Sequence, residues 1–217
     1  MANFTIDLGQ TKFERGINQP TEIKAWLANH PQNGLAFCGR SNVGKSSLIN
    51  AIWGSKIAQT SKQPGRTQQI NIFSFYLRSS ASGKNLGPYY LYDLPGYGFA
   101  EVSKETQQNW QLLMDTFFRF GGPHILLANI RDARHPQESA DLTFEKMIVP
   151  LKRPTFIIFN KVDKLHTQKE KATFKRERQT IEKRLASVQG YFEVSAVDKN
   201  SAKELAQHLT TFLTAAL

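Results

Sequence analysis

Residues Gly39-Arg40-Ser41-Asn42-Val43-Gly44-Lys45-Ser46 match G-x-x-x-x-G-K-[ST], between the apolar run Leu35-Ala36-Phe37-Cys38 and a helix-period segment from Lys45 to Trp53. Strand, glycine turn and helix in that order predict an α/β chain with a phosphate-holding loop. The glycines let backbone wrap an anion at conformations other residues resist. The loop amides and the helix dipole then pull on phosphate oxygens. Lys45 is placed to meet the β- and γ-phosphates, and the Ser46 hydroxyl to ligate magnesium. Chance would give the bare pattern in on the order of one chain of this size in a hundred, before its setting is required.

The rest of the chain agrees with that opening. Apolar runs at Leu35–Cys38, Ile70–Phe75, Tyr89–Tyr92, Ile125–Ile130, Thr155–Phe159 and Tyr191–Val194 alternate with helix-period stretches. Those stretches fall near 104–118, 137–149, 167–188 and 202–213. Six strands in a mostly parallel sheet, with helices on both faces, follow from this alternation. The Ser-, Gly- and Asn-rich turn at 78–88 makes the second and third runs an antiparallel pair, the second half-exposed. Residues 1–31 lack a clear period and read as an N-terminal extension with one helix near Thr21–Ala28, ahead of a domain over 32–217.

Two further segments carry chemistry on the phosphate side. Asp93-Leu94-Pro95-Gly96 closes the tyrosine-rich strand. There Asp93 can hold a magnesium-bound water and the Gly96 amide can reach a γ-phosphate. Gln63-Pro64-Gly65-Arg66-Thr67-Gln68, with Gln69 after it, is a polar connector that can close over the phosphates. In that loop the Thr67 hydroxyl completes a magnesium shell. Lys45, Thr67 and Gly96 are thus the groups placed at the reacting phosphate.

The base is read further along. Asn160-Lys161-Val162-Asp163 follows an apolar strand. An Asp163 carboxylate accepts from both N1–H and the exocyclic amine of guanine, an edge on which adenine offers neither donor. The Lys161 stem can cover the base plane, Asn160 can brace the phosphate loop, and Val194-Ser195-Ala196 offers a backbone amide to guanine O6.

In this order the segments resemble the TRAFAC G proteins, and more narrowly the EngB (YihA/YsxC) family of bacterial GTP-binding proteins. Asp93-Leu94-Pro95-Gly96-Tyr97-Gly98 is the most family-specific stretch, and Asp132-Ala133-Arg134-His135-Pro136 extends the match. The resemblance implies a Ras-like P-loop G domain using GTP/GDP and magnesium. It also implies a role in large ribosomal subunit assembly and an association with cell division and septation. Related GTPases with asparagine at the position of Asn42 use potassium, so Asn42 is either a potassium-site residue or simply a residue that suits the turn.

Tyr97 stands where many G proteins carry a water-orienting glutamine, which predicts slow intrinsic hydrolysis. Two other readings stay open: a P-loop phosphotransferase, and a nucleotide-gated RNA or ribosome binding module with negligible turnover. Lys+Arg 28 against Asp+Glu 18 gives a net charge of +10, and a basic segment from Lys164 to Arg184 suits contact with ribosomal RNA. One cysteine excludes a disulfide framework, and the five histidines show no ligand spacing. No apolar run reaches the ~20 residues of a membrane span, and no signal peptide is evident, so a soluble, cytoplasmic protein is expected; a monomer is the expected state.

Overall fold

The computed structural model describes residues 4–54, 56–58, 69–98, 103–185 and 188–215. The central strand, β2 (Asn33–Gly39), is flanked by parallel neighbours on both edges. Both of its faces are covered, which is why it reads as an unbroken apolar run rather than an alternating one. Leu35 and Phe37 face one layer, Ala36 and Cys38 the other.

In chain order the remaining elements are β1 (Phe4–Ile17), α1 (Pro20–Asn29), α2 (Lys45–Trp53), β3 (Ile70–Ser79), β4 (Asn85–Asp93) and α3 (Lys104–Phe120). Then come β5 (His124–Asp132), α4 (Ser139–Ile148), β6 (Thr155–Asn160), α5 (Gln168–Arg184), β7 (Gly190–Glu193) and α6 (Lys199–Thr214). The sheet order is β1-β3-β4-β2-β5-β6-β7, and β3 alone runs against the others. Leu48, Ile49 and Trp53 of α2 join Leu205 and Leu209 of α6 over one face. Ile23 and Leu27 of α1, Leu113 and Phe117 of α3, and Phe144 of α4 fill the other. Phe174 and Ile181 seat α5 on Ile157 and Phe159.

The sheet has seven strands rather than the expected six, because Phe4–Ile17 joins it. This segment shows no clean period since it is held through its backbone to β3, with two breaks of register. Its side chains contribute only at intervals: Ile17 is fully buried, Phe4 and Ile6 pack on the core, Ser74 Oγ donates to Glu14 at 2.6 Å, and Phe13 meets Phe73 edge-on at 5.3 Å. Its charged residues Asp7, Lys12, Glu14 and Arg15 suit an outer edge that must not pair with another chain. Covered by β1, β3 is interior and mostly buried, not half-exposed. α1 forms where the sequence places it, with Pro20 in its first turn.

Cys38 is fully buried on β2, its sulfur accepting from Asn129 Nδ2 at 3.7 Å. Burial pushes its thiol up to about 12, so it stays protonated at neutral pH. A thiol reagent at pH 8 is expected to leave the folded protein unlabelled and to label it fully in denaturant. Fast labelling of the native chain would contradict this burial.

Candidate nucleotide-binding site

β2 delivers the chain to a turn that passes through two left-handed residues, Asn42 (φ 65°) and Gly44 (φ 91°). Asparagine tolerates that conformation better than most residues, so Asn42 suits the turn. Gly44 has a second reason to be glycine: a Cβ there would lie 2.5 Å from Asn160 Nδ2. Gly39 is excluded from growing by packing, since its Cβ would stand 2.7 Å from the Ile130 carbonyl oxygen. α2 then starts at Lys45 with no side chain capping its first amides. Those amides, the loop backbone and the helix dipole converge where an anion would sit. Val43 turns its side chain into the core and presents its carbonyl to Asn160. Ser46, one residue into α2, is partly exposed.

The Asp93–Gly96 turn lies directly on this loop. Leu94 N donates to Phe37 O (3.0 Å), Tyr97 N to Gly39 O (3.3 Å) and Ser41 N to Tyr97 O (3.0 Å). A Cβ on Gly96 would lie 3.2 Å from Ser41 Oγ, so the turn and the loop touch. Leu94 is fully buried, and Pro95 is buried as well. Lys45 and Asp93, assigned from sequence to phosphates and to a magnesium-bound water, form an ion pair with side chains only 10% and 3% exposed. The lysine therefore does not stand in an open phosphate site, as its motif alone suggests.

The base side is tied to the phosphate side by two residues. Asn160 Nδ2 donates to Val43 O (2.9 Å) while its Oδ1 accepts from Ala196 N (3.2 Å). Lys161, left-handed at φ 67°, donates from Nζ to Asn42 O and to Asp132 Oδ2 (2.9 Å). Asp163 follows in a one-turn helix, Val162–Lys164, its Oδ1 accepting from Ser195 Oγ at 2.7 Å. The Ser195 hydroxyl, with Lys164 beside it, holds this carboxyl below its usual range despite some burial. Asp163 is thus ionised at neutral pH, as a double acceptor must be.

The amides of 194–196, expected to face a base oxygen, are all engaged internally. Val194 N donates to Phe159 O, Ser195 N to Ser201 Oγ and Ala196 N to Asn160 Oδ1. Gln69 Nε2 donates to Asn71 Oδ1 (2.8 Å) beside Gly16. Gly65, Arg66, Thr67 and Gln68 lie outside the described residues.

Three residues absent from the motif-based set belong to the site's surroundings. Asp132, at the end of β5, holds Lys161 and a two-pronged Arg134 (2.9 and 2.6 Å). Burial raises its carboxyl, but the Arg134 and Lys161 hydrogen bonds outweigh it and hold the group well below the carboxylate range. Asp141 and Asn129 sit beneath Tyr97, whose hydroxyl donates to Asp141 Oδ1 (2.9 Å) and accepts from Asn129 Nδ2 (3.1 Å). Tyr97 is buried and stacks on Phe144 with ring centres 4.3 Å apart. A strand-end aspartate two residues before an arginine was the available signal for Asp132; nothing local marks Asp141. No cluster of metal-binding side chains occurs among the described residues.

On α5, Arg178 pairs with Glu182 and Glu193, and Arg184 forks onto Glu145 at 2.8 and 2.9 Å. Lys169, Lys171, Lys175, Arg176 and Lys183 remain exposed and carry no ion pair among the described residues.

Residues 34–161 match the family model described as 50S ribosome-binding GTPase. The chain is 42% identical over 138 residues to the probable GTP-binding protein EngB of Petrotoga mobilis, covering 64% of this chain and 65% of that one. It is 36% identical over 160 residues to the probable GTP-binding protein EngB of Kosmotoga olearia, covering 74% of each. Its fold matches the crystal structure of a probable GTP-binding protein engB with a TM-score of 0.57 at 22% identity, covering 84% of this chain and 99% of that one.

Proposed function

Since the chain belongs to the EngB family of GTP-binding proteins, we propose that it is a slow GTP-hydrolysing switch of large ribosomal subunit assembly in the cytoplasm, with the family's tie to cell division and septation. The observation that carries the guanine reading is the placement of Asp163: its carboxylate is held by Ser195 Oγ at 2.7 Å, and its neighbours Asn160 and Lys161 are bonded to the phosphate loop. Base choice and phosphate grip would therefore rest on segments joined by hydrogen bonds.

Magnesium fits the donors present. Asp93 is a buried carboxylate at a strand end, neutralised by Lys45, and Ser46 offers a hydroxyl at the start of α2. These two would hold the ion with Thr67, Asp93 through a water, and the ion would neutralise developing phosphate charge. Lys45 would turn from Asp93 to the β- and γ-phosphates, and the Gly96 amide would meet the γ-phosphate. Tyr97 has its hydroxyl committed to Asp141 and Asn129, so it cannot orient the attacking water. Slow intrinsic turnover follows, with water placed by a cation or by the ribosome.

The description of the matching family and the net charge of +10 support the ribosomal part of the reading. The five cations of α5 that carry no ion pair among the described residues give an exposed surface for ribosomal RNA phosphates. No helix among the described residues is long and apolar enough to cross a membrane.

Titration with GTP, GDP and ATP, with and without magnesium, tests the core of this proposal. Guanine nucleotides are expected to bind at least ~100-fold tighter than ATP; equal affinities would overturn it. Multiple-turnover phosphate release separates a switch from a binding module, and GTP-dependent sedimentation with large subunits separates it from a phosphotransferase. If Asn42, exposed within the phosphate loop, serves a potassium site as in related GTPases, exchanging sodium for potassium should raise phosphate release. An indifferent rate would leave Asn42 with the turn alone.

A further inference from the structure

We propose that Asp141, on α4, is a positioning residue of the nucleotide site: it clamps Tyr97 and Arg40 together and so fixes the Gly96 amide against the phosphate loop. The inference rests on the reading above, in which that amide meets the γ-phosphate.

The geometry is unusual for a position so far from any motif. Asp141 is fully buried. Its Oδ1 accepts from the Tyr97 hydroxyl at 2.9 Å, and its Oδ2 lies 3.4 Å from Arg40 Nε. Arg40 is the second residue of the phosphate loop, and Tyr97 is the residue after Gly96. The same two residues form a β-bridge through their backbones. One carboxylate therefore joins the side chains of two segments whose main chains are already paired.

The clamp is held from behind. Asn129 Nδ2 donates to the Tyr97 hydroxyl, and Asn129 Oδ1 accepts from Arg131 Nε at 3.0 Å. Arg131 pairs with Glu145 at 2.7 Å, and Glu145 receives the fork from Arg184 of α5. Phe144, one turn along α4, stacks under the tyrosine ring. Gly98 then leaves left-handed at φ 79°, so close to α4 that a Cβ would stand 2.8 Å from Ala140 Cβ. The chain from Asp93 to Gly98 thus has few other ways to lie.

A buried carboxylate is costly unless compensated. Here two of the compensating groups, the Tyr97 hydroxyl and the ion-paired Arg40, belong to the segments that would meet at a third phosphate; another is the nearby charge of Arg131, and Oδ2 faces Arg40 without a hydrogen bond. The consequence would be selective, because on that reading only a triphosphate carries the γ-phosphate that meets the Gly96 amide. Losing the clamp should therefore weaken triphosphate binding and turnover while leaving diphosphate binding nearly intact. A purely structural role would instead lower thermal stability and leave that ratio alone.

The test compares wild type with Tyr97→Phe, Asp141→Asn and the double variant. It measures dissociation constants for GDP and an imido-bridged GTP analogue, together with kcat, KM and thermal unfolding. Tyr97→Phe keeps the ring on Phe144 and removes only the hydroxyl, so it carries the test if Asp141→Asn fails to fold. The ratio of triphosphate to diphosphate affinity is expected to fall about tenfold, with kcat falling and GDP affinity within twofold. The double variant should be no worse than the more severe single one. A folded Tyr97→Phe protein with a wild-type ratio and kcat would overturn the clamp. Failure of the wild type to bind either guanine nucleotide would instead overturn the nucleotide reading beneath it.

Discussion

Asparagine in place of Asp163 should cost the protein its guanine preference, with GTP and GDP affinity falling by about 10²- to 10⁴-fold. The wild-type carboxylate offers two acceptors to the two N–H donors of the guanine edge, each a hydrogen bond to a charged group. An asparagine turns one acceptor into a donor and sets N–H against N–H. Xanthine carries an oxygen at C2, so the same variant should gain xanthosine triphosphate binding as it loses GTP.

The fold should tolerate the change. Ser195 Oγ can still donate to the amide oxygen that replaces Oδ1, and the Lys164 contact at 3.4 Å is solvent-facing, worth about 0–1 kcal/mol. Thermal unfolding should therefore shift little while base preference inverts. The wild-type pH profile follows the same carboxylate. Its depressed pKa keeps it charged into mildly acid solution, so guanine affinity should stay flat as pH falls to the ordinary aspartate range and weaken only below it. Nucleotide competition across the two proteins reads all of this, and an unaltered guanine-to-xanthine ratio would remove Asp163 from base recognition.

What local sequence reveals here is chemistry confined to a few consecutive residues. The phosphate loop, α2 and the Asn160–Asp163 turn are legible because each encodes its own geometry: left-handed positions, an apolar strand before, a helix after. β1 is hidden because an edge strand held by main-chain bonds to β3 needs no apolar period. The burial of β3 is hidden for the same reason, since it depends on what β1 does. Asp132 and Asp141 take their meaning from partners brought close by the sheet: Lys161 and Arg134 for one, Tyr97 and Arg40 for the other. Tyr97 itself is legible from sequence only as a residue standing where many G proteins carry a water-orienting glutamine. In the fold its phenol is a saturated core group, and its ring is packed on Phe144.

The same long-range logic changes what Lys45→Ala should do. Read as a motif lysine in an open site, it would matter for triphosphate affinity and hardly for folding. In the structure its ammonium neutralises Asp93, whose side chain is 3% exposed, and alanine would strand that carboxylate in the interior. Breaking a buried pair from one side costs about 3–5 kcal/mol, which for a chain of this size lowers Tm by roughly 6–20 °C. The reverse change is gentler. Asp93→Asn leaves a lysine whose side chain is 10% exposed and whose long stem can carry the charge toward solvent. The double variant should accordingly recover most of the stability lost by Lys45→Ala, since no buried charge remains without a partner. It should not recover nucleotide binding, because the contact with the β- and γ-phosphates, worth about 10²- to 10³-fold, is absent from both. Calorimetry on the four proteins, with GTP titrations beside it, separates the two roles of this lysine. A Tm unchanged by Lys45→Ala would mean that Asp93 is solvated rather than held by Lys45.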